Sequence, residues 1–254
     1  MILLIDIGNT SVKAALSDRD GIGHSFRIDV LREQGDNIFE KIQASLQAIG
    51  PEKPEGAVVC SVVPQTYSLV RDGIRKHFRI NLLTVSPDIK TGLKFTIENP
   101  ASLGADRIAN AVAARHLYTG NLVIIDFGTA TTVCVVSENC EYRGGSIMPG
   151  IGMSADALHD KTAGLPRTEL RLPENAIGKN TDENIRSGIL YGHAGAVQRI
   201  TSEVQKELNA EISIIATGGY ADLVTPFLSV DYTKAMLTLE GLRLLYTMNV
   251  NCLK

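Results

Sequence analysis

The sequence predicts a duplicated α/β fold in which two similar domains, each with a mixed sheet and helices, flank a cleft. The first observation is an internal repeat, because residues 2–8 (Ile-Leu-Leu-Ile-Asp-Ile-Gly) match residues 122–128 (Leu-Val-Ile-Ile-Asp-Phe-Gly). The second is that each repeat continues through small polar residues into another apolar run, at 12–16 and 133–136. The third is that strand and helix patterns then alternate in both halves, which is typical of α/β proteins.

The first half contains three strands followed by alternating helices and strands. Residues 2–5 are apolar at every position, which predicts a strand buried on both faces rather than a half-exposed one. The other predicted elements are strands at 12–16, 24–28, 57–63 and 81–85 and helices at 36–48, 66–77 and 101–117.

The second half repeats this order of elements. After its opening hairpin, the predicted elements are a strand at 142–148, helices at 151–161 and 182–208, a strand at 212–216, a helix after 219 and a last helix at 234–248. No linker rich in Pro, Gly or Ser separates the halves, and residues 118–121 form the seam. We therefore expect two domains, 1–118 and 119–254, that share a wall.

The composition limits the classes of partner that this 254-residue chain can bind. Its formal net charge is -3. Acidic and basic residues are interspersed, so the sequence offers no basic stripe for nucleic acid and no polybasic segment for an anionic membrane. No stretch approaches the roughly 18 apolar residues of a transmembrane helix. The four cysteines lie far apart without a Cys-x-x-Cys pair, which favours reduced thiols in a cytoplasm. Small molecules or other proteins are the expected partners.

Two acidic turns carry the first functional signal. Asp6 and Asp126 each end a buried strand and are followed by a glycine, Gly8 or Gly128, which lets the backbone approach a ligand. A carboxylate alone would repel phosphate, so a hard cation such as Mg²⁺ is expected to mediate. One such turn would be an ordinary hairpin, whereas two in equivalent positions favour a clasp around the phosphates of ATP.

Two neighbouring features allow more than one interpretation. Lys13 lies within reach of a phosphate if its strand runs along the cleft, but a single lysine is also typical of a solvated face. The segment Thr217-Gly218-Gly219 follows a buried strand and precedes a helix. Its amides could meet the α-phosphate or adenosine of a nucleotide, or its glycines could serve only the steric needs of a turn.

Asp106 is the candidate general base. The loop from Glu98 contains Pro100 and Gly104, which fix a tight entry into a helix whose first turn holds Asp106. A carboxylate at that place is stabilised by the helix dipole in any protein, so the dipole alone is one explanation. A carboxylate beside a cleft can also accept the proton of an alcohol nucleophile, while Arg107 pairs a carboxylate or phosphate.

Two nucleotide-binding signatures are weak or absent. Gly150-x-Gly152-x-x-Ala155 matches the dinucleotide fingerprint, but it follows a hairpin strand and lacks the later acidic residue. The chain also has no Walker loop, because Gly178-Lys179 is followed by Asn180 and the spaced upstream glycine is missing.

The chain resembles type III pantothenate kinases, within the superfamily of acetate and sugar kinases and actin. The matching motifs occur in that family's order: Asp6-x-Gly8-Asn9-Thr10, Asn99-Pro100-x-x-x-Gly104-Ala105-Asp106-Arg107, Asp126-x-Gly128-Thr129-Ala130-x-Thr132, Gly144-Gly145-x-Ile147-x-Pro149-Gly150 and Thr217-Gly218-Gly219. The resemblance implies duplicated ribonuclease H-like (actin-like ATPase) domains and ATP-dependent phosphorylation of pantothenate to 4'-phosphopantothenate, the first step of coenzyme A biosynthesis.

The resemblance also implies the roles of individual residues. The implied ATP contacts are Asp6, Ile7, Gly8, Asn9, Thr10, Ser11, Val12, Lys13 and Thr129, and the implied pantothenate contacts are Gly104, Ala105, Asp106, Arg107 and Thr181. Asp106 would accept the proton, and Thr181 would lie at the edge of a homodimer interface. Asp126 would bind a monovalent cation, K⁺ or NH₄⁺, so we assign Mg²⁺ to Asp6 alone.

Two residues depart from the family's pattern. Ile97 stands where the family often has a tyrosine, which predicts a lost or replaced pantothenate contact. Cys134 stands where an acidic residue is common, which affects the expected cation coordination. Two other functions are consistent with the same turns, namely a phosphoanhydride hydrolase of the superfamily and a nonenzymatic regulator that binds nucleotide.

Overall fold

The computed structural model describes residues 1–18, 21–30, 38–49 and 53–250. The chain forms two compact units. The first unit comprises the chain up to Leu117 together with the segment from Met236 onward, and the second unit runs from Tyr118 to Ala235.

The first unit contains six strands and four helices within the described residues. They are β1 (Ile2–Ile7), β2 (Ser11–Ser17), β3 (Ile22–Asp29), α1 (Ile38–Ile49), β4 (Gly56–Ser61), α2 (Pro64–His77), β5 (Leu82–Thr84), β6 (Lys94–Phe95), α3 (Ala105–Leu117) and α7 (Leu237–Asn249). The predicted helix at 36–48 is α1, and its first two predicted residues lie outside the described part of the chain.

Apart from having two helices instead of one after its third strand in the described part of the chain, the second unit has a similar succession of elements. They are β7 (Asn121–Phe127), β8 (Ala130–Val136), β9 (Glu141–Pro149), α4 (Ile151–Asp160), α5 (Thr181–Leu208), β10 (Ile212–Thr217), α6 (Ala221–Val224) and β11 (Tyr232–Thr233). The two-residue strands β6 and β11 were not predicted, because two residues carry no periodic pattern.

The strand order confirms the duplication. The strands of the first unit lie in the order β3-β2-β1-β4-β5, and the corresponding strands of the second lie in the order β9-β8-β7-β10-β11. In each case the first three strands are antiparallel and the remaining pairs are parallel. The mixed α/β fold class predicted from the repeat is therefore confirmed.

The sheet of the first unit is covered on both faces, as the unbroken apolar run of β1 predicts. Leu3, Ile5 and Ile7 pack with α1 and α2 in one buried cluster. Because side chains alternate along a strand, Leu4 points to the other face, where α3 and α7 pack on β1 and β4. Asp6 shares that second face at the end of the strand.

The last helix, α7, groups with the first unit, although the predicted boundaries place it in the C-terminal domain. Its contacts are with α3, β1 and β4, and it buries five leucines, Leu237, Leu239, Leu242, Leu244 and Leu245. Gly241 faces α3 so closely that an added Cβ would overlap the carbonyl oxygen of Ala109. The position of the helix in the sequence gave no sign of this packing, because the contact is long-range.

We expect Gly241→Ala to destabilise the protein by about 3 kcal/mol, since the methyl group would push α7 away from α3. Gly188, an exposed residue inside α5 whose Cβ would meet nothing within 4 Å, supplies the matched control. Gly188→Ala should instead stabilise by about 0.5 to 1 kcal/mol through helix propensity. Urea unfolding followed by circular dichroism measures both, and equal effects of the two variants would contradict the proposed close packing.

Candidate active site

The Asp6 turn closes tightly at the end of β1. The Gly8 amide donates to the carbonyl oxygen of Ser11 over 3.0 Å, which joins β1 to β2 across three residues. Asp6 is partly buried, Ser11 and Val12 are buried, and Asn9 at the tip is exposed. The turn therefore presents backbone and polar groups at its tip and holds its carboxylate against the sheet.

A row of functional side chains crosses the sheet at the level of Asp6. Lys13 on β2 pairs with Asp6, and Cys60 on β4 pairs with it from the other side. Arg27 on β3 pairs with Lys13 and extends the row. Paired residues on neighbouring strands project to the same face, so Lys13 lies on the same face as the carboxylate. This register supports the interpretation of Lys13 as a phosphate contact.

Cys60 joins the site as a buried hydrogen-bond donor. Its Sγ donates to Asp6 Oδ1 over 3.3 Å, and the residue is 0% exposed. Burial raises the pKa of the Cys60 thiol well above its usual range, and the carboxylates of Asp6 and Asp106 raise it further. The Cys60 thiol is therefore protonated, because burial and both carboxylates raise its pKa.

Asp106 lies in the first turn of α3, close enough to act on the same thiol. The predicted helix at 101–117 starts later than expected, because a short 3₁₀ turn at Pro100–Ser102 ends at an extended Leu103. The Arg107 amide donates to Asp106 Oδ1 over 2.8 Å. At Gly104 an added Cβ would lie 2.6 Å from that oxygen, so glycine leaves room for the carboxylate.

Cys60 was missed as a site residue in the sequence. In the sequence it is one of four well-separated cysteines, yet it is the fifth residue of β4, as Asp6 is the fifth residue of β1. Parallel neighbouring strands of equal length end at the same edge of a sheet. Comparing the two strand ends would have placed the thiol beside the carboxylate.

Asp126 occupies the equivalent place in the second unit. It pairs with Thr217 of β10 and with Thr132 of β8. Gly218 has a φ of +98°, and an added Cβ there would lie 2.5 Å from Asp126 Oδ1. The need for a positive φ and for space beside a carboxylate explains the glycine after β10. It supports the interpretation of this segment as part of a site, which the sequence left undecided.

The second turn is one residue shorter than the first. Gly128 donates to the carbonyl oxygen of Ala130 over 3.2 Å, and the Thr129 carbonyl accepts from the Gly150 amide over 3.1 Å. Thr132 stands opposite Asp126, where the first unit has Lys13 opposite Asp6. The two acidic turns therefore differ in charge, with a cation beside Asp6 and a hydroxyl beside Asp126.

A buried polar contact joins β8, the strand after the second turn, to α5. Thr131 Oγ1 and His193 Nε2 of α5 lie 2.9 Å apart, and both residues are buried. Burial lowers the pKa of His193, so the ring is neutral and hydrogen-bonded. The contact fixes β8 to the long helix of the same unit.

Thr181 is the first residue of α5 and is exposed. The N-cap residue Asn180 accepts from the Glu183 amide over 3.0 Å, while Glu183 Oε2 accepts from the Lys179 amide over 2.7 Å. The hydrogen bond from the Lys179 amide, and after it one from the Asn180 side-chain amide to Glu183 Oε1, lower the pKa of the Glu183 carboxyl group. The helix start is thus capped, and Thr181 is presented at its edge.

The acidic residue at the first turn fits a hard cation that is bound by few protein ligands, rather than a metal ion enclosed by several side chains. Across residues 1–18, 21–30, 38–49 and 53–250, no group of three His, Cys, Asp or Glu side chains could hold a metal ion. Mg²⁺ typically takes one or two carboxylates and completes its shell with water and substrate phosphates. Asp6, a single carboxylate at an open strand end, fits that manner of binding.

No helix in the described ranges is both long and apolar enough to cross a membrane. Of the four cysteines, Cys60, Cys134 and Cys140 are free thiols.

A duplicated mixed α/β fold with an acidic turn after the first strand of each repeat, and a carboxylate at a helix start, is the arrangement expected of a nucleotide-dependent phosphotransferase of the actin-like class. A family profile described as type III pantothenate kinase matches residues 2–203. The chain belongs to the type III pantothenate kinase family.

One relative and two solved structures illustrate the similarity. A type III pantothenate kinase from Exiguobacterium sp. is 41% identical over 253 residues, covering 98% of this chain and 99% of the relative. A structure described as a conserved Baf family transcriptional activator from Campylobacter jejuni has a TM-score of 0.63 at 20% identity, covering 98% of this chain and 99% of the other. A structure described as a 2-dehydro-3-deoxygalactonokinase from Sinorhizobium meliloti has a TM-score of 0.56 at 12% identity, covering 97% and 98%.

The family membership confirms the predicted activity class. The protein is an enzyme that phosphorylates pantothenate with ATP in coenzyme A biosynthesis, a phosphotransferase with an alcohol group as acceptor. The two structural neighbours, at their low identities, support the fold alone. Neither the hydrolase nor the regulator gains support from the family match.

Proposed function

We propose that the enzyme performs this transfer with Asp106 as proton acceptor and Asp6 as the metal-binding carboxylate. The observation that carries the proposal is that Asp6 accepts a hydrogen bond from Cys60 of β4 over 3.3 Å, while α3, whose first turn holds Asp106, packs on the same strand. The pantothenate hydroxyl oxygen attacks the γ-phosphorus of ATP, the bond to the bridging oxygen breaks, and ADP leaves. The hydroxyl proton passes to Asp106 late in a loose transition state.

The phosphate contacts are proposed to come mainly from the first acidic turn. The sequence from Asp6 to Lys13 supplies a carboxylate for Mg²⁺, turn amides and hydroxyls for phosphate oxygens, and the Lys13 ammonium. Bound Mg²⁺ would neutralise charge on the β- and γ-phosphates. Lys13, paired with Asp6 across the strands, adds a second positive charge on the same face. Thr129 is proposed as a further ATP contact.

Pantothenate is proposed to bind at the start of α3. Gly104 and Ala105 lead into Asp106 and Arg107, where the helix N-terminus favours an anionic ligand. Arg107 can hold the pantothenate carboxylate with two parallel hydrogen bonds. Fixing that end of the substrate would orient its hydroxyl toward Asp106. Thr181 is proposed as an additional substrate contact.

Asp126 is proposed to bind a monovalent cation, K⁺ or NH₄⁺. Lys13 stands opposite Asp6 in the first turn, whereas no lysine stands opposite Asp126 in the second. This difference in local charge supports different cations at the two turns. A homodimer with Thr181 near its interface and a cytoplasmic location complete the proposal. The free thiols of the chain are consistent with a reducing compartment.

The decisive experiment supplies purified enzyme with ATP, Mg²⁺, K⁺ and pantothenate and identifies the products by mass spectrometry. We expect ADP and 4'-phosphopantothenate in equal amounts. A matched reaction without pantothenate should release little inorganic phosphate. Phosphate release that is independent of pantothenate would favour a hydrolase, and nucleotide binding without turnover would favour a regulator.

Arg107→Ala should raise KM for pantothenate about 30-fold, equivalent to about 2 kcal/mol, because a charge-assisted pair is lost. The turnover number should change by less than about threefold, since Arg107 binds rather than reacts. Arg107→Lys should recover part of the affinity, as lysine keeps the charge without the two-point geometry. Steady-state kinetics measures both constants, and an unchanged KM would contradict the role in binding.

Asp126→Asn should abolish activation by a monovalent cation. We expect the wild-type rate to be about tenfold higher in KCl than in LiCl, and the variant to show the lower rate in both salts. Asp222→Asn, an exposed acidic residue in the same unit, is the control and should keep the activation. A variant that still responds to K⁺ would overturn the assignment of Asp126.

A further inference from the structure

We propose that Cys60 is a positioning residue for the metal-binding carboxylate of Asp6. The thiol holds one oxygen of that carboxylate by a hydrogen bond and thereby sets the affinity of the enzyme for the divalent cation. The inference rests on the proposed role of Asp6 in Mg²⁺ binding.

The position of Cys60 is fixed by the fold. It lies on β4 directly beside Asp6 on the parallel strand β1, and it is fully buried. Its Sγ lies 3.3 Å from Asp6 Oδ1. A buried strand residue has little freedom to move, so the orientation of its S–H group constrains the carboxylate that accepts from it.

The chemistry of a thiol suits this task. A thiol is a weak hydrogen-bond donor, and the S–H group of Cys60 satisfies one lone pair of the Asp6 carboxylate over 3.3 Å. Groups that hydrogen-bond to a metal ligand orient that ligand, and removing them typically lowers metal affinity by about 10- to 100-fold. Cys60 has the contact and the rigidity that such a role requires.

Three variants separate positioning from packing. Cys60→Ala removes the donor, and Cys60→Ser restores a donor of similar shape. Val58→Ala truncates another fully buried residue of β4, two positions earlier on the same face and paired with Leu4 rather than with a carboxylate. If Cys60 serves only packing, the two alanine variants should bind Mn²⁺ with similar affinity. If Cys60 positions Asp6, Cys60→Ser should bind Mn²⁺ almost as wild type does.

The measurement is Mn²⁺ binding to the enzyme with a nonhydrolysable ATP analogue, followed by the loss of the free Mn²⁺ signal in electron paramagnetic resonance. We expect Cys60→Ala to weaken Mn²⁺ binding about tenfold, Cys60→Ser to stay within about threefold of wild type, and Val58→Ala to leave binding unchanged. In kinetics, Cys60→Ala should need about tenfold more Mg²⁺ for half-maximal rate yet approach the wild-type turnover number at saturation.

Asp6→Asn distinguishes the failure of this inference from that of the proposed function. If Asp6→Asn weakens Mn²⁺ binding while Cys60→Ala does not, Cys60 has no positioning role and Asp6 keeps its own. If Asp6→Asn leaves Mn²⁺ binding intact, the metal assignment of Asp6 is wrong, and the inference falls with it. Equal weakening by Cys60→Ala and Val58→Ala would also overturn it, because the effect would then be one of packing.

Discussion

Asp106→Asn should lower the turnover number about 10³-fold, equivalent to about 4 kcal/mol of transition-state stabilisation. The amide cannot accept the hydroxyl proton of pantothenate, although its oxygen can still accept from the Arg107 amide as the carboxylate does. The local structure is therefore retained while the base is lost. Steady-state kinetics should show a KM for pantothenate within about threefold of wild type, since the introduced asparagine keeps a polar contact and Arg107 still holds the substrate carboxylate.

The same variant tests the rival explanation, in which Asp106 only stabilises the N-terminus of α3. A carboxylate in a first helical turn contributes about 0.3 to 1 kcal/mol through the dipole. On that explanation Asp106→Asn would lose this small stability and keep its turnover. Asp72→Asn, an exposed carboxylate on α2 of the same unit, should leave both stability and rate almost unchanged. Full turnover by Asp106→Asn would remove Asp106 from the chemistry.

Asp6→Asn should lower kcat/KM for ATP about 10²-fold at limiting Mg²⁺, a loss of about 2.7 kcal/mol. The amide offers an uncharged ligand to a hard cation, and Lys13 then faces no carboxylate across the strands. Titrating Mg²⁺ in the kinetic assay should show a large rise in the half-activating concentration.

Excess Mg²⁺ supplies the control for Asp6. Rate should recover in part for Asp6→Asn, because mass action compensates for weaker binding. No such recovery is expected for Asp106→Asn, whose defect lies in proton transfer. If neither variant responds to Mg²⁺, the assignment of the metal to Asp6 is contradicted.

The regular part of the fold was predictable because its signals are local. The repeated apolar runs before Asp6 and Asp126, each followed by a glycine, predicted two equivalent hairpins, and the strand orders confirm them. The long amphipathic segments likewise predicted α2 and α5 within a few residues. These elements depend on side-chain periodicity and on turn residues that the sequence displays directly.

The remainder depends on contacts between distant residues. The neighbour of Asp6 on β4 could be identified only from the parallel register, so Cys60 was not recognised as part of the site. The later start of α3 reflects an extended Leu103 between a three-residue 3₁₀ turn and α3, which helix propensity does not reveal. The packing of Gly241 against Ala109 joins residues more than a hundred positions apart.

The return of α7 to the first unit sets an order of events during synthesis on the ribosome. The second unit is continuous from Tyr118 to Ala235 and can complete its core before α7 exists. The first unit must wait, because the five leucines of α7 belong to its interior. Domains generally fold as units while the chain emerges. The half that carries Asp6 and Asp106 is therefore begun first and finished last, so α3, which holds the proposed general base, gains its packing against α7 only after translation passes Asn249.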